Sequence, residues 1–433
     1  MPSMPTPTPM PSPMPSPTPA AILVLNAGSS SIKFALFDCP ADEEHSERAA
    51  EGPPRRPRRS GEVEGIGETL RMRVDGVDVP IKAGASDGDP YRAALAPVIE
   101  WVRTQNDHVQ LAAVAHRVVH GGARHTAPVV VNEAVLDDLC TLIPLAPLHQ
   151  PHNIGAIEIL MRALPGVPQV AVFDTTFHRT LPRCEQLLPL PHAMFDEGVR
   201  RYGFHGLSYE YLSVALSEAF GAQARGRVVA AHLGSGASLC ALQNLQSVAT
   251  TMGFSALDGL MMSTRCGSID PGVLLHLIEV RGLSHRALGR LLYDEAGLKG
   301  VSGTSGDPRV LLDAESHDER ARDALALYVR RIVRETGALV ALLGGLDMLV
   351  FTAGVGEHSA PVRERVCAAL QWLGIELDSD ANRANAHVIS TPSSRVTVVV
   401  EPTNEEWVAA QSAWQLLGDA TRPVASVSRD PAA

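Results

Sequence analysis

Two arginines, three histidines and two carboxylates stand in this chain where they could act together on an anion. Arg117 lies in HRVVHGG (residues 116–122), directly after the apolar run LAAVA, and so at the end of a predicted strand. Arg265 lies in GLMMSTRCGSIDPG (259–272), a loop rich in small residues. His149 sits in the proline-bounded LAPLHQP (145–151), His205 in RRYGFHGLS (200–208) and His232 in HLGSG (232–236). Asp174 closes the buried-strand signal VAVF at the carboxyl end, where open α/β sheets place their ligands. Glu405 follows a second such run in VVVEPTNEEW (398–407). Guanidinium forks match carboxylate and phosphate geometry, so this set suits an anionic substrate if the fold gathers it. Any one arginine taken alone reads as a surface residue.

Two matching hairpin patterns supply the scaffold. AILVLNAGSSSIKFALFD (21–38) places two apolar runs around a small-residue turn, and VVAAHLGSGASLCALQ (228–243) repeats the arrangement. Aligning Gly28 with Gly234, 234 − 28 = 206 residues apart, puts Ser29 on Ser235, Ala35 on Ala241 and Leu36 on Leu242. Two copies half a chain apart predict a duplicated domain. Two ordinary hairpins are the alternative. Phosphate binding accounts for more of the residues, because successive N–H groups in a Gly/Ser turn form an anion-binding hollow and Lys33 adds a positive charge. The Walker A pattern is absent, and a strand rather than a helix follows the turn. After RRYGFHGLS a helix is predicted, capped by Ser208, with Leu212, Ala215, Leu216, Ala219 and Phe220 on one face. His205 then stands just ahead of a helix N-terminus, a position that favours anions. LVFTAGVGEHS (349–359) reads as a buried strand entering a glycine-rich turn. Ser359 and Pro361 open a further helix with Val362, Val366, Ala369 and Leu370 inward.

Length and composition set the frame. The chain has 433 residues, so two domains are expected, and 45% hydrophobic residues provide for buried cores. A formal net charge of −11 argues against nucleic acid as a partner while leaving room for a local basic cluster. The six cysteines form no C-x-x-C pair, which fits reduced thiols in a cytoplasmic protein better than disulfides or zinc. No apolar run is long enough for a membrane span, and the proline-rich start has no signal-peptide core. Disorder is expected for that leader (1–20), for a solvated charged loop from about residue 40 to 60, and for the tail (419–433).

The motifs LNAGSSSIK, HRVVHGG, LAPLH, VFDTTFH, RYGFHG, HLGSGAS, MGFSALDGLMMSTR, FTAGVGE and PTNEE stand in one order from about residue 22 to 416. In that order the chain resembles the acetate kinase family, part of the superfamily of sugar kinases, actin and heat-shock ATPases. The resemblance implies an α/β fold of duplicated actin-like, ribonuclease H-like domains with a nucleotide cleft between them. Domain I would span 21–175 plus a returning helix at 404–418, and domain II 176–403. It implies reversible phosphoryl transfer from ATP to acetate, giving acetyl phosphate and ADP by direct in-line transfer, in a cytoplasmic homodimer. The rivals are a propionate-preferring kinase and a nucleotide-binding protein on the same core that has lost catalysis.

By resemblance Asn26 and Glu405 hold Mg2+, with Mn2+ able to serve in its place. Lys33, Ser29 and Ser31 contact phosphate. The nucleotide lies on His232, Leu233, Gly234, Ser235 and Gly236, on Asp307, Pro308 and Arg309, and on Gly354, Val355, Gly356, Glu357 and His358. Arg117, Arg265, His149, His205 and Asp174 form the catalytic set. Arg117, Val119, Leu148, Phe204 and Ala256 line the acyl pocket. A carboxylic acid of pKa ~4.3 is already ionised at neutral pH, so Asp174 is read as a positioning group rather than a general base. The chain departs from the family pattern at Ser235 and His358, both in place of asparagine. Leu207 and Tyr209 replace threonine and histidine, and Ala256 replaces proline.

Overall fold

The computed structural model describes residues 20–28, 31–40, 52–81, 89–104, 110–147 and 149–421. Residues 1–19 of the leader, Ser29, residues 41–51 of the expected charged loop, Leu148 and the tail beyond residue 421 therefore lie outside the described residues.

Two sheets carry the fold. The first contains β1 (Ala20–Ala27), β2 (Ser31–Asp38), β3 (Arg59–Glu64), β4 (Arg71–Val74), β5 (Val77–Val79), β6 (Gln110–Val118), β7 (Val129–Val130) and β8 (Gln169–Phe173), in the order β5-β4-β3-β2-β1-β6-β8-β7. The second contains β9 (Arg227–Leu233), β10 (Ala237–Gln243), β11 (Gln246–Thr250), β12 (Met348–Thr352) and β13 (Thr397–Val400), in the order β11-β10-β9-β12-β13. The run β3-β2-β1-β6-β8 and the whole second sheet share one pattern: two antiparallel steps, then two parallel ones. This is the duplication that the two glycine turns announce. β8 and β12 are buried along their whole length, as expected of parallel strands covered on both faces.

The helix Gly206–Phe220 is wedged between the sheets. Leu207, Tyr211 and Ala215 pack with Ile22, Val24 and Val172 of the first sheet, while Tyr209, Leu212 and Leu216 pack with Val228, Ala230 and Val350 of the second. It therefore buries two faces rather than the single face expected, and Ala219 is exposed. Its N-cap is His205, in the left-handed region at φ 59, and not Ser208, which lies inside the first turn. At the later helix Ala360–Ala369, Val362, Val366 and Leu370 are buried but Ala369 is exposed. The segment before it, Ala353–His358, is a short helix rather than an open turn.

The charged stretch before β3 corrects the expectation of a solvated loop for residues 52–60. Pro53 is buried and its carbonyl accepts from Trp407 Nε1 at 2.9 Å. The Arg55 carbonyl accepts from Asn404 Nδ2 at 2.8 Å, and its guanidinium lies over the Tyr211 and Trp407 rings. The Arg58 N–H donates to Leu36 O at 2.7 Å, which leads the chain into β3. Proline lacks an amide donor, so at Pro53 the anchoring falls to the carbonyl. Trp407 belongs to the last helix, Glu405–Thr421, which packs on β1 and β6. Trp407→Phe keeps a ring and leaves the buried Pro53 carbonyl without its donor. Urea unfolding is expected to lose about 1–3 kcal/mol; an unchanged unfolding curve would show that this bond does not hold the segment.

Candidate active site

The candidate site residues come largely from the carboxyl ends of strands in both sheets. Arg117, the penultimate residue of β6, grips Asp174 with both arms of its fork: Nε to Oδ1 at 2.9 Å and Nη2 to Oδ2 at 2.7 Å. Its Nη1 donates to Asn26 Oδ1 at 3.1 Å, and Glu405 Oε2 lies 3.7 Å from Nε. One guanidinium thus gathers residues from β1, the end of β8 and the C-terminal helix. Burial works against its charge, but Asp174 and Glu405 more than offset this and hold it protonated. Burial raises the Asp174 carboxyl from its ordinary value against the opposing pull of Arg117.

Arg265 approaches from the other side. Its Nη1 donates to Ala256 O at 3.0 Å and its Nη2 to His149 Nε2 at 3.3 Å. It makes no ion pair among the described residues. His149 caps the helix Gln150–Ala163, and burial, then Arg265 and Arg117, push its imidazole down to about 4. The His205 and His232 rings stack with centroids 4.1 Å apart, 16° from parallel. Burial pushes His232 down to about 3 and His205 well below its ordinary value. All three imidazoles are therefore neutral near pH 7.

The turn between β9 and β10 faces these groups. A Cβ placed on Gly236 would come within 3.2 Å of His205 Nε2 and 3.6 Å of Arg265 Nη1, and one on Gly234 within 3.6 Å of His232 Nε2. Only glycine leaves that space open for a ligand. Ser263 joins the next segment to this turn: its N–H donates to Ser235 O at 3.2 Å and its Oγ to Gly306 O at 2.8 Å. Asp307 then caps the helix Pro308–Ala314 and is chelated by Arg309, whose side chain stays exposed. Residues 354–358 lie on the short helix after β12, and Glu357 Oε1 accepts from Thr403 N at 3.2 Å, two residues before Glu405. His358 points to solvent, 72% exposed.

Lys33 pairs with Asn26 across the first hairpin and is exposed, lining a cavity of about 420 Å3 with Glu62, Asn404 and Glu406. It stands at the rim, outside the arginine–histidine cluster. Ser31 begins β2, and its carbonyl accepts from Gly28 N at 2.9 Å. Val119 and Phe204 are buried in one apolar cluster against which Ala256 packs. Asn26, Asp174 and Glu405 offer hard oxygen donors, the chemistry Mg2+ prefers when substrate phosphates complete its shell. Among the described residues no cluster of three or more His, Cys, Asp or Glu could hold a metal alone.

Several positioning residues escaped the sequence reading. Asn153 is buried and bridges two strand exits, accepting from Val119 N at 3.0 Å and donating to Ala27 O at 2.9 Å. Gln150, one turn earlier, makes two bonds to the His120 backbone. A pair of amides three residues apart on the helix after His149 was the available signal. Arg363 is fully buried and donates to the Gly356 and Glu357 carbonyls at 2.8 Å each, fixing the C-terminal end of the short helix. Nothing in its local sequence marks it.

The sequence model of the Acetokinase family matches residues 21–411. The acetate kinase of Rhodopseudomonas palustris is 48% identical over 400 residues, covering 91% of this chain and 98% of its own length. That of Methylocella silvestris is 48% identical over 401 residues, covering 92% and 98%. Among solved structures, the Porphyromonas gingivalis acetate kinase is 36% identical with a TM-score of 0.79, covering 92% of this chain and all of that one. A propionate kinase from Francisella tularensis is 31% identical with a TM-score of 0.81, covering 91% and 98%. With a family match over most of its length and relatives this similar, the chain belongs to the acetokinase family.

Proposed function

We propose that this chain transfers the γ-phosphoryl group of ATP to acetate, reversibly, giving acetyl phosphate and ADP by direct in-line displacement. The observation that carries the proposal is Arg265, a largely buried cation with no ion pair among the described residues, set beside neutral imidazoles and Arg117. A buried charge needs an anion, and a transferring phosphoryl group spreads charge over three equatorial oxygens. Arg117 and Arg265 hold the acetate carboxylate and the moving phosphoryl group. His149, His205 and His232 surround it. Asp174 orients Arg117 and removes no proton, since the acceptor is already a carboxylate. Asn26 and Glu405 would hold Mg2+, which neutralises phosphate charge when bound. The nucleotide lies along residues 232–236, 307–309 and 354–358. A nucleotide-binding protein without catalysis would have no use for this complete set.

Two separate sheets, with strands within residues 20–173 and 227–400, support a division into domain I (21–175 with the C-terminal helix) and domain II (176–403). A homodimer accounts for the apolar side chains exposed on the helix Pro271–Glu279, where Val273 is 45%, Leu275 58% and Ile278 45% exposed. Six free cysteines support a cytoplasmic setting, and no described helix is long and apolar enough to cross a membrane.

A hydroxamate assay with acetate, ATP and magnesium tests the activity. In it, Arg265→Ala should lower kcat by roughly 10²- to 10³-fold, as expected for one lost transition-state donor. A rise in the KM for acetate alone, at constant kcat, would reduce Arg265 to a substrate-binding role.

The depressed imidazoles set the pH response. A histidine at about 3 or 4 is neutral above that value and gains charge only as pH falls toward it. Where chemistry limits turnover, kcat should stay level from pH 6 to 8. A limb centred near 6.5 that disappears in His149→Gln or His232→Gln would contradict the neutral reading.

The acyl pocket makes the last prediction here. Alanine at 256 in place of proline leaves room for roughly one methylene, worth about 0.8 kcal/mol when buried. We expect kcat/KM for propionate within about tenfold of that for acetate, a window of ~1.4 kcal/mol. Ala256→Pro should shift the ratio back toward acetate. A much larger preference for acetate, untouched by the substitution, would show that Ala256 does not set chain length.

A further inference from the structure

The segment GFHGLSY (203–209) leads into the first turn of the wedged helix, with Tyr209 where the family pattern has histidine. Tyr209 and Ser238 are both fully buried. The Tyr209 hydroxyl lies 2.6 Å from Ser238 Oγ, which lies 2.8 Å from His205 Nδ1. Distances alone leave the direction of such a relay open, because each hydroxyl can donate or accept. The far end closes the question. Ser238 Oγ is the only hydrogen-bond partner of the Tyr209 hydroxyl among the described residues, so a serine proton pointing that way would leave the buried phenolic O–H without an acceptor. The tyrosine proton then goes to Ser238 Oγ, and the serine proton goes to His205 Nδ1. A neutral imidazole that accepts at Nδ1 carries its proton on Nε2.

That is the nitrogen facing the turn between β9 and β10, beside Arg265 Nη1. The opposite tautomer would turn a lone pair toward the phosphate oxygens. A charged imidazolium is opposed on every side: by stacked His232 from β9, Arg117 from β6, Arg265 from its loop and His178 from the segment after β8.

We infer that Ser238 and Tyr209 are positioning residues that lock His205 as its Nε2–H tautomer, so that it enters each turnover as a neutral donor aimed at the transferring phosphoryl group. The inference rests on the phosphoryl-transfer reading above. Its structural half, the tautomer, can be measured without turnover.

Nitrogen-15 NMR of the histidine side chains in the full, ligand-free chain reads the tautomer, with His205→Gln assigning the signal. We expect an unprotonated Nδ1 and a protonated Nε2 in the wild type, and a mixed or reversed signal in Ser238→Ala. Tyr209→Phe is nearly isosteric and keeps the test alive if Ser238→Ala does not fold. It breaks the relay at its directional link and should also mix the tautomers. In the hydroxamate assay either variant should lower kcat by roughly 10- to 100-fold, short of the loss of a whole donor, with KM for ATP and acetate changed less than about threefold. Ser238→Thr keeps the hydroxyl and should recover most of kcat. A wild-type signal from an Nδ1–H tautomer overturns the inference directly. So does wild-type kcat in both Ser238→Ala and Tyr209→Phe, or a loss in Ser238→Thr equal to that in Ser238→Ala. An inactive wild type with the Nε2–H signal intact would count against the phosphoryl-transfer reading and so remove the donor role of His205.

Discussion

A guanidinium half-sunk between two sheets has to be neutralised, and the way Arg117 is neutralised fixes the geometry of the candidate site. Its partners come from three separate parts of the chain: Asn26 on β1, Asp174 after β8 and Glu405 at the start of the C-terminal helix. Removing one partner of a buried pair leaves the other charge stranded, at a cost of about 3–5 kcal/mol. The strand exits and the last helix are therefore bound to one another electrostatically as well as by packing. Asn153 reinforces the same junction from below by tying Ala27 O to Val119 N. In this arrangement Asp174 faces a permanent cation and is held in place by it, the opposite of what a proton acceptor in turnover needs.

The second constraint is the helix Gly206–Phe220, which buries a face against each sheet and leaves only a half-buried stripe, Glu210, Ser213 and Val214, along its first three turns. A side chain at its first position would strike Asp174 O, since a Cβ on Gly206 would lie 2.1 Å from that atom. Glycine there lets the Gly206 amide donate to Asp174 O at 2.8 Å. The close contact sets the helix against the end of β8 and forces the preceding His205 into the left-handed region. A non-glycine residue in that conformation carries strain, and such strain tends to sit where function needs a side chain aimed. His205 is so placed that its ring stacks on His232 and meets the glycine turn.

What the sequence made legible were strand exits and glycine turns. The period-two and all-apolar patterns have a direct physical meaning, and a polar residue that closes such a run sits where the strand leaves the sheet. Arg117, Asp174 and the paired hairpins are of this kind. The packing of residues 52–60 was illegible because composition scored the run as charged and proline-rich. What orders it is a carbonyl reaching Trp407, more than 350 residues away in sequence. The His205 cap was missed for a related reason: Ser208 has the intrinsic preference for an N-cap, but the tertiary contact at Gly206 moves the helix start three residues earlier and turns the serine toward His232. Arg363 and Ser238 act only through bonds to distant backbone or to a ring that is itself placed by the fold, so no local pattern encodes them.

The mixture of fixed cations and neutral donors has its own logic. In the proposed reaction ATP and acetyl phosphate are both anions, and Arg117, held in place by Asp174, would attract each of them before and after transfer as well as during it. Such uniform attraction fills the site without lowering the barrier between bound states. A neutral N–H donor aimed at one point gains most when charge develops at that point. Burial, the arginines themselves and the ring-on-ring contact all press His205 and His232 toward neutrality. The imidazoles therefore add direction without adding charge. Were they cationic, they would repel Arg117 and Arg265 in the empty site and tighten the hold on both phosphorylated species, slowing release. On the proposed mechanism Arg117 would collect the anions, while Arg265 and the hydrogen-bonded histidines would favour the moment of transfer over what lies on either side of it.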